Sequence, residues 1–514
     1  MFSTHFFADN ADGFQHVWNL WWVRRSLLVL HQSPWFTTDL HFPYGCSLLG
    51  HPLDLTDGIL GVAFQCAFSL VQAFNLIVIF AFVSSGIAAF WLCNIFTGNY
   101  WASIVGGFVF TFCNYHFSHA QGHLELISLE WIPLFAILWF RQWERGSMPA
   151  AIGAAGFLTL AFYDSYYYFI YCILLGFIIA AWTMLSPARR QAVAWNRRLT
   201  CLGVFVLLLL VTTGPMLLTV IRFNRVDPLL GNHLPAEYSM DLTTPFVWGC
   251  HWRFGALTAS FWKSLPGNIN ENSVYVGNTV LALIVYAWFA RRRLGASAIA
   301  LWISVFAVFG VLALGPSLHI GGHEFSHVWL PYRLLVFLVP PMRLSGAPVR
   351  MEIMMQLAAA VLTAFAFKGL LEQRQARSRW IAGAALLLIV MEFQPTPVPA
   401  TPADPPPFVS ALAQTTGPGA VIDIASSRGQ SMYYATIYQR PVAFGYFART
   451  PTSVFEKDKA LLQQIQTMNL ATLRNDGFRF LVVRQPYANM PGRPIFEDNS
   501  VGVFDLATQT SSKR

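Results

Sequence analysis

Residues 8–28, "ADNADGFQHVWNLWWVRRSLL", gather Asp9, Asp12, His16 and three tryptophans, Trp18 among them, ahead of any long apolar run. A carboxylate in that setting can take a proton from a hydroxyl as a general base or hold a divalent cation. Asp12 reads equally as the N-cap of a helix beginning at Gly13, because aspartate is a favoured cap. Asp54 and Asp57, in "GHPLDLTDG", form a second acidic pair with the same two readings.

Further along, "NYHFSHAQGHLELISLEWIPL" (114–134) carries His119, His123, Glu125 and Glu130. His119 and His123 stand four apart, as do His319, His323 and His327 in "LHIGGHEFSH". On a helix that spacing puts two imidazoles on one face, the geometry of a zinc pair. However, "GGH" breaks a helix and no HExxH pattern occurs, so no metal ligands are assigned and a divalent cation stays an open option. Glu125 and Glu130 meet the start of an apolar run, where an ionisable group is costly and functional by default; pairing with an arginine is the plainer reading.

In "PPMRLSGAPVRMEIMM" (340–355), Arg343 and Arg350 precede another apolar run. Guanidinium groups at that depth suit a lipid phosphate bidentately, or anchor the chain to anionic headgroups. Asp164 and Tyr167 sit in "FYDSYYYFIY" (162–171), where tyrosines could stack on a sugar or form an interfacial belt. No phosphate-binding glycine loop or kinase pattern accompanies these groups, so the chain binds no nucleotide as its energy source.

The elements that must position them are membrane helices. Of the 514 residues 55% are hydrophobic and 11% charged, against about 25% charged in soluble domains. Charge-poor runs near 75–96, 101–117, 127–140, 149–163, 166–185, 199–221, 274–290, 296–315, 351–368 and 380–393 predict roughly 10 spans. The loops 141–146, 188–198, 290–295 and 368–379 hold 13 Lys/Arg with just Glu144 and Glu372, which makes them cytoplasmic. The net charge of +8 therefore reports topology and lipid contact, not a nucleic-acid partner. All 13 histidines fall on the other side or at its edge.

The predicted organisation is an extracytoplasmic first loop (1–58) with an interfacial helix whose indoles lie at headgroup level, then a transmembrane domain (59–394). Long outer loops at 222–273 and 316–350 follow, the first read as a lid. A proline-rich linker (395–408) leads to a small extracytoplasmic α/β domain (409–514), with strands at 419–424, 478–483 and 501–506 and an amphipathic helix at 454–468.

The acidic pair before "HVWNLWW", the loop ending "GHPLD", then "GHLELISLEWIPL", the tyrosine cluster, "MRLSGAPVR" and "VIDI…YQRPVAFGYFAR" together resemble YfhO-like bacterial membrane proteins and related integral-membrane glycosyltransferases of the C-type (GT-C) fold. The resemblance implies a polytopic α-helical, GT-C-like protein of the bacterial cytoplasmic membrane. It implies transfer of a sugar from a polyprenyl-phosphate carrier to a glycan, lipid or protein hydroxyl on the outer face, with inversion. The family's acidic catalytic residue maps onto Asp12, with Asp9 its neighbour and Asp54 the next candidate. His16, Trp18, His123, Glu125, Asp164, Tyr167, Arg343 and Arg350 become the expected substrate contacts, the arginines facing the departing phosphate. A non-catalytic envelope assembly factor or a lipid or glycan transporter is the rival reading. A transporter would place charges at mid-membrane and show repeats.

Overall fold

Among the described residues, five helices are long and apolar enough to cross a membrane: Leu70–Thr97, Tyr166–Leu185, Trp195–Thr212, Ala296–Ala313 and Pro348–Leu371. The computed structural model describes residues 1–507 other than 232, 340, 341, 343–345, 374, 488, 489 and 491. The remaining predicted runs form shorter helices, among them Tyr100–Thr111, Trp131–Arg145, Met148–Asp164 and Asn278–Leu294. Pro348–Leu371 is the central element, with 94% of its apolar window buried. It packs on Leu70–Thr97, Tyr100–Thr111, Asn278–Leu294 and Ala296–Ala313. Its alanine run, Ala358 to Ala360, explains how: small side chains let neighbouring backbones approach closely.

The run 199–221, predicted as one span, is two helices, Trp195–Thr212 and Gly214–Val226. Pro215 is the cause. It lacks the N–H that would continue the first helix, and its fixed φ suits the first turn of the next.

The first helix, Asp12–Arg24, is not an interfacial one. Trp18 and Trp22 stack 5.6 Å apart and both are wholly buried. Their cover is the C-terminal part of the chain: Phe14, Trp18 and Trp22 share one apolar core with Val421, Tyr433, Phe480 and Val503. The side chains that do face outward are Leu27, Leu28, Val29 and Leu30, on the π-turn that follows.

The C-terminal part has a four-stranded sheet in the order Phe496–Glu497, Val501–Asp505, Phe478–Arg484, Ala420–Asp423. The last pair is parallel and the others antiparallel. Helices Arg428–Tyr438 and Thr452–Gln466 accompany it. Strands Phe478–Arg484 and Val501–Asp505 are apolar on both faces because one side joins the core that the first helix shares and the other covers a smaller core of Leu461, Leu473 and Phe504.

The proline-rich stretch is tied down along its length. Thr401–Pro402 pairs antiparallel with His5–Phe6, as proline permits in an edge strand. The loop 222–273 is likewise stitched across: Leu229–Gly231 pairs with Arg449–Pro451. Asp227 Oδ1 accepts the Ser453 N–H at 2.9 Å.

Candidate active site

Asp9, and not Asp12, caps the first helix. Asp9 Oδ1 accepts the N–H groups of Ala11 at 3.0 Å and Gly13 at 2.9 Å, satisfying donors that a helix start leaves unpaired. Its own N–H donates to Gln121 O at 2.6 Å. That bond lays the 120–123 turn across the helix start and brings His123 to Asp12, with Nε2 to Oδ2 at 3.5 Å. The Asp12 carboxylate, 31% exposed, is therefore released from capping and faces a polar constellation.

Gly122 is needed at this crossing. A Cβ there would stand 2.9 Å from Gly13 N and 3.0 Å from Asp12 Cβ, both on the helix start. Gly122→Ala is expected to push Asp12 off His123 and so to lower the His123 pKa toward its ordinary value. The check is an NMR titration of the histidines beside a circular dichroism spectrum, which should be unchanged.

Further side chains complete this layer. His119 Nδ1 lies 3.1 Å from His123 Nδ1, so one ring donates to the other. His119 Nε2 is 3.8 Å from Glu271 Oε2. Glu271 takes Arg350 Nε at 3.1 and 3.0 Å, and Nη2 as well. The Arg350 guanidinium lies over the Tyr167 ring, 4.8 Å from its centroid. From the C-terminal part, Arg449 Nη2 donates to Tyr167 Oη at 3.3 Å and Nη1 to Gly50 O at 3.5 Å. Tyr446 bonds to the Asp12 carboxylate.

Behind this layer lies a buried histidine between two carboxylates. His16 Nδ1 meets Asp54 Oδ2, and Nε2 meets Glu125 Oε2 at 3.1 Å. Asn19 fixes the surroundings, donating to Pro52 O at 2.6 Å and bonding His51 Nε2 through Oδ1 at 2.7 Å. Asp54 is held at φ 51°, a left-handed conformation uncommon outside glycine.

The electrostatics follow from these contacts. Burial alone would raise Asp12, but the hydrogen bond and charge of His123, with the Tyr446 hydrogen bond, hold it at about 2. Burial disfavours a charged His123, and the Asp12 hydrogen bond and the Glu125 charge reverse this, raising it above its ordinary value. Glu125 also resists burial and stays ionised, at about 2, through His16. His16 is raised in turn by Asp54 and Glu125 against its own burial. His119, by contrast, is pushed down to about 3, chiefly by burial.

Of the residues singled out in the sequence, Asp12, His16, His123, Glu125, Asp54, Tyr167 and Arg350 converge here. Asp9 stands beside them as the cap. Trp18 packs the core beneath and reaches no open space, because the helices Arg428–Tyr438 and Leu55–Gln65 pack on its own. Arg350 is turned into its ion pair with Glu271 instead of facing outward. Asp164 is buried below this layer, and its carboxylate has no hydrogen-bond partner among the described residues. Arg343 lies outside the described residues. Glu271, Tyr446 and Arg449 went unmarked as site residues: Glu271 is one glutamate in a polar loop, and the other two stood out just as part of "YQRPVAFGYFAR".

Among the described residues, two sets of side chains bring three metal-ligating groups within 4.8 Å of one another: His119, His123 and Glu271, and His16, Asp54 and Glu125. In the second, the imidazole is already hydrogen-bonded to Asp54 and ion-paired with Glu125. The first, with Asp12 adjacent, has the imidazole and carboxylate donors of a borderline divalent cation.

An α-helical membrane body, an acidic first segment and an α/β part sharing a core with it make up a multi-pass membrane protein. The chain belongs to the family described as "Domain of unknown function (DUF6311)", whose model matches residues 34–394. Among solved structures, the chain is similar to the arabinofuranosyltransferase AftD from Mycobacteria, at TM-score 0.62 and 12% identity, covering 98% of this chain and 40% of that one. It also matches an Archaeoglobus fulgidus oligosaccharyltransferase bearing an acceptor peptide, at TM-score 0.49 and 12% identity, over 92% of this chain and 65% of that one. ArnT from Cupriavidus metallidurans bound to undecaprenyl phosphate follows, at TM-score 0.41 and 10% identity, over 99% and 95%. At such identities the likeness is one of fold, and the AftD comparison carries it. The chain spans less than half the length of AftD and about two thirds of the archaeal chain. No curated protein matches it.

Proposed function

We propose that this chain transfers a sugar from a polyprenyl-phosphate carrier to an acceptor hydroxyl, on the extracytoplasmic face of a bacterial cytoplasmic membrane and with inversion. The observation that carries the reading is the Asp12 carboxylate: ionised, half open, relieved of capping by Asp9 and aimed by His123. The likeness to YfhO-like proteins rests on motif order, and a count of roughly 10 spans rests on hydropathy.

Asp12 Oδ2 accepts a hydrogen bond from the acceptor hydroxyl. As that oxygen bonds to the anomeric carbon its proton becomes acidic and passes to the carboxylate, while the electron pair of the old bond leaves with the carrier phosphate. Arg449 meets the phosphate, with the Arg350–Glu271 pair fixing Tyr167 from behind; charge stabilisation there is felt as the bond breaks. His119, His123 and Glu271 would hold a divalent cation once His123 is neutral and turned from Asp12, and its charge would assist at the phosphate. A glycosyl-transfer role favours these groups over an assembly factor, which needs no open carboxylate. The test is the anomeric configuration of product formed from labelled polyprenyl-phosphate sugars: inversion supports the reading, and retention overturns it.

The Asp12–His123 pair also predicts a pH dependence. Asp12 is depressed from 3.8, so its contribution is complete above that value and lost as pH falls toward about 2. His123 is raised from 6.5, so its contribution is complete below that value and lost as pH rises through the folded one. The Tm difference between wild type and Asp12→Asn should be widest from about pH 4 to 6.5 and narrow on either side. Thermal unfolding in detergent across pH checks this.

A further inference from the structure

A cavity of about 740 Å³ lies beside the candidate site and is used by none of the chemistry above. Its walls are the hairpin that pairs Phe36–Thr37 with Cys46–Ser47, the helix Gly214–Val226 and the chain from Pro451 to Lys457. Its size falls in the range of small-molecule sites.

The lining argues for the occupant. Five aromatic rings face it: Trp35, Phe36, Tyr44, Tyr163 and Phe223. Three serines and Thr219 add hydroxyls between them. Leu49, Val454 and Met216 are the aliphatic side chains in the wall, scattered among the rings. The two charges, Asp227 and Lys457, cancel, and both are engaged: Asp227 with Ser453, and Lys457 4.6 Å over the Tyr44 ring. A neutral wall does not select a phosphate headgroup. Aromatic faces interleaved with hydroxyls match a saccharide, which offers apolar C–H faces ringed by hydroxyl groups.

One layer of chain divides this cavity from the candidate site. Leu49 lines the cavity, while the next residue, Gly50, accepts from Arg449. Pro451 lines it, while Arg449, two residues back on the same strand and so about 7 Å away, reaches Tyr167. Tyr163 lines it, and Tyr167, four residues on, carries both guanidinium groups. We infer that the cavity is a saccharide subsite. It holds the inner sugars of an oligosaccharide acceptor whose end unit reaches Asp12. This inference names the acceptor class and rests on the glycosyl-transfer reading.

The test uses the full chain in nanodiscs, with maltotriose, mannotriose, an arabinofuranosyl trimer and dodecylphosphocholine as probes, read by tryptophan fluorescence. Phe36 and Tyr44 are 50% and 55% exposed, so Phe36→Ser and Tyr44→Ala should fold. At least one trisaccharide should bind wild type, and each variant should weaken it by about tenfold. Donor hydrolysis without acceptor should be unchanged. The inference is overturned if no saccharide binds, if binding ignores both variants, or if dodecylphosphocholine alone occupies the cavity. Variant-sensitive saccharide binding without turnover of any donor would support the subsite and overturn the transfer reading.

Discussion

Asp12→Asn is expected to lower donor turnover by about 10²–10⁴-fold, the range for losing a positioned general base, with fold and insertion intact. The neutral amide keeps the shape of the side chain and cannot take the acceptor's proton. Asp9→Ala supplies the contrast. Asp9 holds the Ala11 and Gly13 N–H groups, so its loss should cost about 0.5–2 kcal/mol of stability and reduce turnover far less than Asp12→Asn. Steady-state turnover and thermal unfolding on both variants separate the roles. Equal loss of turnover in the two would mean that the helix start, not the carboxylate, is what matters.

The second large effect is expected at Glu271. Its carboxylate is the partner of a buried guanidinium, and breaking a buried pair from one side costs about 3–5 kcal/mol, because the other charge is left uncompensated. Glu271→Ala should therefore lower the Tm sharply and strip His119 of its neighbour. The double variant Glu271→Gln with Arg350→Met removes both charges and should regain much of the stability, since a neutral pair leaves no orphan charge. Thermal unfolding of the single and double variants in detergent measures the coupling. A single variant as stable as wild type would show the pair to be solvated and peripheral.

Much of this arrangement is written locally, and what is not depends on distant chain. Long apolar runs broken by basic loops predict a helical membrane body. The alternating C-terminal segments place strands close to where they stand, at Ala420–Asp423, Phe478–Arg484 and Val501–Asp505. The spacing of His119 and His123, four apart, already puts them near one another, and their Nδ1 atoms stand 3.1 Å apart. By contrast, the first helix is covered by Arg428–Tyr438, about four hundred residues later in the chain, so the burial of Trp18 has no local sign. Arg350 and Glu271 are 79 residues apart, and nothing in "NINENSVY" marks a partner for an arginine. Whether Asp9 or Asp12 caps the first helix depends on the backbone at Ala11, which composition does not determine. Both readings of Asp12 were open from sequence; Asp9 takes the cap, and that leaves Asp12 free.

The measurement that bears most directly on the central proposal is release of polyprenyl phosphate from a set of labelled polyprenyl-phosphate sugars in liposomes holding wild type or Asp12→Asn. Release from at least one donor by wild type, lost in folded and inserted Asp12→Asn, is the predicted result. No release from any donor, or release that the substitution leaves untouched, would contradict it.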